Sequence, residues 1–143
     1  MKCVIIESPY SPGPKPQGEC ACTAMNVLNL TECEFCTALG AWREKLLDNI
    51  HYGRKAMRDS LQRGEAPYAS HLLYTQAGVL DDTVQAERDW GIQAGFAWRQ
   101  NAAKTVVYAD RGISAGMKLG VEDAVARGVE VEYRYIEKTD AGA

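Results

Sequence analysis

The sequence predicts an α/β fold: a mainly parallel sheet of four to five strands with helices packed on it. Three observations predict it. Short apolar, β-branched runs alternate with longer stretches of helical period, in the order β, α, β, α, β, α, β. Strands separated by helices pair in parallel. Turn-forming Gly, Pro, Ser or Asp bounds most of these runs. A chain of 143 residues suits one compact domain and buries about 68% of its unfolded surface without a staple.

Residues 2–6 are a short apolar run that reads as a buried strand. The turn formers of residues 8–14 end it. Residues 15–39 have no clear period and read as a Cys-rich insertion. Helical spacing takes over from 41 to 63, with Trp42, Leu46, Ile50, Met57 and Leu61 near one face and Gly64 as the stop. Residues 66–69 form a weak strand, and Pro67 points to a strand start or an edge. Residues 71–76 read as a loop or short turn. Asp81, Asp82 and Thr83 offer N-caps for a helix to about residue 100, with Ala86, Trp90, Ile92, Phe96 and Ala97 as its core positions. Residues 104–109 are a strong strand. Ser114 caps a helix that Gly128 closes, and the alternating residues 129–135 form a half-exposed strand near an edge. Residues 137–143 read as a tail.

The net charge is −3 and the pI about 5.4, which argues against a nucleic-acid binder, normally a basic protein. The apolar run at residues 3–6 is too short for a secretory leader, and no stretch approaches the ~18 apolar residues of a membrane span. A cytoplasmic protein with reduced thiols is the expectation.

Parallel sheets bind ligands beyond the carboxyl ends of their strands. Three groups pass that test: Glu7, Ser8 and Tyr10 after the first strand, Ser70, His71 and Tyr74 after the second, and Asp110 to Met117 after the third. Ser114, Gly116 and Met117 open a helix, where free N–H groups and the helix dipole favour an anion. An N-cap with a packing glycine explains them too. Glu7 could act as acid, base or hydroxyl acceptor, or be a solvated strand-end carboxylate. His71 could be catalytic or a structural hydrogen-bonder. Arg88 could reach an anionic ligand or pair locally with Glu87. Residue spacing supports no Ser-His-Asp constellation, P-loop, GxGxxG or HExxH motif.

Cys20 and Cys22, then Cys33 and Cys36, form CxC and CxxC pairs ten residues apart. Four thiolates suit tetrahedral Zn²⁺, and a closed Cys₄ site is structural because no coordination position stays open. Free thiols in a mobile insertion, or a disulfide or redox pair, are the alternatives. Cys3, in the first strand, reads as a core thiol.

The stretches "ESPY", "RGEAPYASHLLYTQAGVLDD", "ERDWGIQAG" and "VVYADRGISAGMKLGVEDA" resemble an uncharacterised domain frequent in phages and bacteria. That family is related to the nucleoside 2-deoxyribosyltransferases and deoxynucleoside monophosphate N-glycosidases. The resemblance covers residues 1–10 and about 45–135, with the cysteine segment as an insertion. It implies a Rossmann-like, flavodoxin-like three-layer fold that handles a nucleoside or nucleotide and assembles into homo-oligomers. It implies a Ser-containing turn, matched by Ser114, that holds phosphate or a substrate hydroxyl, and a pocket-lining Tyr10. The related enzymes place a Glu nucleophile six residues after that Ser, where this chain has Gly120. The nearest carboxylate, Glu122, is two residues on, a rotation of roughly 200° that turns it away. Glu7 is the candidate substitute, with His71 or Asp110 orienting sugar or base.

The expected function is N-glycosidic cleavage or deoxyribosyl transfer without an organic cofactor. Two alternatives stand beside it. One is a non-catalytic binder, a sensor or sponge for a nucleotide or nucleotide-derived signal, favoured by the missing Glu at position 120. The other is an interaction module clipped by zinc.

Overall fold

The computed structural model describes residues 1–22 and 33–137. Along the chain lie β1 (Cys3–Glu7), α1 (Glu34–Gln62), β2 (Ala66–Tyr68), α2 (Ser70–Leu73), α3 (Gln85–Arg99), β3 (Lys104–Tyr108), α4 (Ala115–Ala126) and β4 (Glu130–Arg134). The four strands form one all-parallel sheet in the order β2-β1-β3-β4. The α/β architecture is as expected, and the cysteine cluster follows β1. β2, with its Pro67, is an edge strand, and so is β4.

Successive strand residues point to opposite faces. Val4, Ile6, Val106 and Tyr108 pack with Tyr52 and Ala56 of α1 in one apolar cluster. Glu7 and Thr105 point the other way and meet Arg99 of α3.

Three elements depart from expectation in ways that matter for the site. α1 begins at Glu34, seven residues before the expected start. Residues 34–39 are therefore helical rather than part of a loop, and Cys33 is the N-cap. The fully buried face of α1 is Asn49, Tyr52, Gly53, Ala56 and Ser60; of the apolar stripe, Met57 packs against the core cluster, Trp42, Leu46 and Ile50 are half-buried, and Leu61 is 50% exposed. Small residues let the helix approach the sheet closely, and the polar ones are satisfied. Asn49 Nδ2 donates to Tyr10 O at 2.9 Å, and Ser60 Oγ to Glu65 Oε2 at 2.7 Å. On α3 the buried residues are Gly95 and Arg99. Ala86, Trp90 and Ala97 face outward, while Ile92 and Phe96 are half-buried and reach the cavity described below. The expected 81–83 cap is instead a turn ahead of α3, in which Asp81 Oδ1 accepts from Thr83 N at 2.9 Å; the N-cap is Val84.

Residues 70–73 make the single helical turn α2 where a loop or short turn was expected. Ser114 caps α4 as expected, its Oγ accepting from Met117 N at 3.3 Å. Gly64 and Gly128, at φ 78° and 69°, follow α1 and α4 in the left-handed region that ends helices. Cys3 opens β1 at the rim of the sheet and is exposed, not in the core. The expected tail falls mostly at residues 138–143, outside the described residues. No helix among the described residues is long and apolar enough to cross a membrane.

Candidate functional site

Beyond the carboxyl ends of β1 and β3 lies a cavity of about 360 Å³. The chain leaves the two central strands in different directions here, and that divergence opens the crevice. Glu7, Ser8, Tyr10, His71, Tyr74, Arg88, Ser114, Gly116 and Met117 all line it. Glu7, Ser8 and Tyr10 come from the end of β1, His71 from α2, Tyr74 from the residue after it, Arg88 from α3, and Ser114 to Met117 from the start of α4.

The floor is a buried ionic cluster. Arg99, 1% exposed, donates through Nη2 to Glu7 Oε1, through Nη1 to Asp123 Oδ2 at 2.8 Å and through Nε to Thr105 Oγ1 at 3.1 Å. Burial raises the Glu7 carboxyl to about 7, against the opposing pull of the Arg99 guanidinium. Gly120 makes room for it. A Cβ at that position would lie 2.5 Å from the Glu7 carboxyl carbon, closer still to Oε1, and 2.9 Å from Oε2. The carboxylate of Glu7 thus fills the space into which a side chain at 120 would project. Glu122 is exposed on the outer face of α4.

One wall holds a neutral imidazole. His71 Nε2 lies 2.7 Å from Ser8 Oγ, and burial lowers its pKa to about 4. The Tyr10 ring meets it edge-on at 6.3 Å between centroids. Gly53 of α1 leaves the space for Ser8, since a Cβ there would sit 3.1 Å from its Oγ. Tyr74 is held by Trp98, whose Nε1 donates to the phenol oxygen at 3.1 Å.

The opposite end is cationic. Arg88 Nη1 pairs with Asp82 Oδ2 at 2.7 Å, so its partner is Asp82 and not the expected Glu87. Its Nη2 would be 3.4 Å from a Cβ at Gly116, which places the guanidinium over the first turn of α4. A guanidinium and a helix N-terminus facing one space favour an anion there.

Asp110 is the one expected catalytic residue the cavity excludes. It lies on the α1 side of the sheet, where its carboxylate accepts from Tyr52 OH at 2.5 Å, Ile136 N at 3.0 Å and Glu137 N at 2.9 Å. Burial opposes its charge, but these hydrogen bonds outweigh it and keep the carboxyl below the ordinary aspartate range. Its role is to fasten the chain after β4. Arg99, Asp82, Thr75 and Phe96 line the cavity without having been expected there. A signal for the α3 residues was available: Arg88, Gly91, Ile92, Gly95, Phe96 and Arg99 recur at spacings of three and four, one helical face.

The cysteines form a separate centre. The sulfurs of Cys20, Cys22, Cys33 and Cys36 all lie within 4.8 Å of one another, with Cys20–Cys36 at 3.3 Å and Cys22–Cys36 at 3.9 Å. A tetrahedral ion bonded to sulfur at about 2.3 Å needs sulfurs about 3.8 Å apart. The arrangement is therefore compatible with a bound metal. The described cysteines are all free thiols. Backbone N–H groups of Cys36, foremost, and of Ala21 bring the Cys33 thiol down to about 6.

The family model of a domain of unknown function, DUF7768, matches residues 36–134. That span runs from the first turn of α1 to the end of β4 and leaves out β1. No curated protein and no solved structure matches the chain.

Proposed function

We propose that this chain, which belongs to the DUF7768 family, binds a nucleoside or nucleotide in the cavity beside β1 and cleaves or exchanges its N-glycosidic bond. The observation that carries the reading is the Glu7 carboxylate, buried at the cavity floor in space that Gly120 vacates. The resemblance to an uncharacterised family distantly related to nucleoside 2-deoxyribosyltransferases supports the same reading, with the carboxylate supplied from the facing strand.

In this reading the Ser114 to Met117 turn and Arg88 hold a phosphate or a 5′-hydroxyl. The sugar lies over Glu7, and the base lies among Tyr10, Tyr74 and Phe96. The Glu7 oxygen not held by Arg99 attacks the anomeric carbon. The C–N bond breaks, the base leaves with the electron pair and takes a proton from solvent, and a C–O bond to Glu7 forms. Water or a second base then displaces the carboxylate. A carboxylate suits a centre that passes through an oxocarbenium-like state. Neutral His71, with one ring N–H, serves as an orienting hydrogen-bond partner rather than an acid.

The test incubates the protein with 2′-deoxynucleosides, their 5′-monophosphates and NAD-type ligands, reading base release by chromatography and binding by thermal shift. Base release that Glu7→Gln abolishes while binding persists is the expected result. A second reading, a sensor or sponge without turnover, draws on the engagement of Glu7 by Arg99. Binding with no base release from any ligand would favour it and overturn the catalytic reading. No response from any ligand would overturn both.

The four cysteines would take one zinc ion, whose affinity for thiolates matches the donor set. Protein purified without added metal is expected to carry about one zinc per chain, by the one-ion stoichiometry of a Cys₄ site. Cys20→Ser with Cys36→Ser should abolish it. Metal-free protein straight from purification would refute the assignment.

A further inference from the structure

Residues 10–22 have no regular structure, yet they lie along one face of α1. Tyr10 O accepts from Asn49 Nδ2 at 2.9 Å, and Gly13 O accepts from Trp42 Nε1 at 3.0 Å. Gly18 packs on the Phe35 ring, with room for no more than a Cβ 3.3 Å away. Asn49, Trp42 and Phe35 are seven residues apart, close to two helical turns each, and share a stripe of α1. The segment ends at Cys20 and Cys22, whose sulfurs meet those of Cys33 and Cys36 at the start of the same helix.

Pro12, Pro14 and Pro16 deny this segment the N–H groups of a strand ladder. Among the described residues, two side-chain hydrogen bonds, one ring contact and the cysteine end tie it to α1. Its first residues are a wall of the cavity: Tyr10, Ser11, Pro12 and Gly13 all line it.

We infer that a metal ion held by Cys20, Cys22, Cys33 and Cys36 fastens residues 10–22 to α1 as a strap and thereby sets the cavity wall at Tyr10 to Gly13. Thirteen residues of helix separate Cys36 from Asn49, about 20 Å at 1.5 Å per residue. The metal therefore acts on the ligand site without touching the ligand. The inference rests on the metal reading of the cysteines and leaves the identity of the ligand open.

Hydrogen exchange on zinc-loaded protein and on protein stripped with a chelator tests it. Stripping should accelerate exchange at least tenfold at the Trp42 indole N–H, which donates to Gly13 O, leave the amides of β3 and β4 unchanged, and be reversed by added zinc. Cys20→Ser with Cys22→Ser, which spares α1, should behave like stripped protein. A second arm measures affinity for 2′-deoxyadenosine 5′-monophosphate, expected to fall about tenfold on stripping. Unchanged exchange at the Trp42 indole after metal loss, or unchanged affinity for a probe that does bind, would overturn the strap. So would protein that holds no metal. If the probe fails to bind even loaded protein, the nucleotide reading fails and the exchange arm alone decides the strap.

Discussion

Two side chains in the cavity titrate in opposite senses. Glu7 is a carboxyl raised to about 7 from an ordinary 4.5, so between those values the folded chain keeps a proton the unfolded chain releases. Its contribution to stability falls as pH rises through that window. His71 is a base lowered to about 4 from 6.5. Between those values the unfolded chain binds a proton the folded chain refuses, so its contribution rises with pH. The two slopes cancel from pH 5 to 6.5, where urea unfolding of the native sequence should give a nearly constant free energy. In Glu7→Gln the His71 slope stands alone, and stability should climb by about 2 kcal/mol across the same range, at 1.36 kcal/mol per unit. A flat profile in that variant would contradict the His71 assignment, and a native profile that climbs with pH would contradict that of Glu7. Gly120 offers a second prediction. Gly120→Ala drives a methyl into the Glu7 carboxylate and should cost about 1–3 kcal/mol by overpacking, although alanine is the better helix former. Equilibrium denaturation would settle the sign. Glu7 was readable in the sequence because it ends a strand. Its dependence on Gly120 was not, because that is a contact between residues 113 positions apart.

At the scale of elements, α4 depends on its first turn. Ser114 Oγ accepts from Met117 N, and Met117 Sδ accepts in return from Ser114 N at 3.4 Å, a capping box in which a thioether replaces the usual Glu. Ser114→Ala should lower stability by about 1 kcal/mol, measured by thermal unfolding. It should also weaken anion binding if the turn holds phosphate. Strand and helix order was legible because period and turn residues both marked it. The buried faces of α1 and α3 were not. Asn49, Gly53, Ser60, Gly95 and Arg99 are small or polar, and a pattern of apolar residues points away from them. Each is buried for a reason sequence periodicity does not carry: a partner at a particular distance, or a neighbour that needs the space. Arg99 is the clearest example. In the last turn of a helix an arginine suits solvent and the dipole, and only the sheet beneath it turns it inward. Asp110 shows the reverse, since the rule that selected it does not specify which face a post-strand residue occupies.

For the whole molecule, a second ionic network lies on the α1 face. Arg134 reaches both oxygens of Glu65 at 2.8 and 2.7 Å, Lys104 meets Glu65 at 3.1 Å, and Arg134 and Lys104 share Glu132. Hydrogen bonds from Arg134, first among the causes, lower Glu65 and Glu132 to about 2. The stability they supply is present above pH 4.5 and lost as pH falls towards 2. Acid titration followed by circular dichroism should show a transition in that range, shallower in Glu65→Gln. A transition of unchanged steepness would remove Glu65 from the account. The strand order has one more consequence. β1 stands between β2 and β3, pairing Cys3 with Ala66 and Val4 with Lys104, whereas the family match begins at residue 36. A fragment cut to residues 36–134 would therefore lose a central strand rather than an edge. β2 and β3 would face an empty slot, and a peptide of residues 1–10 added in trans should restore the missing strand and the carboxylate it carries.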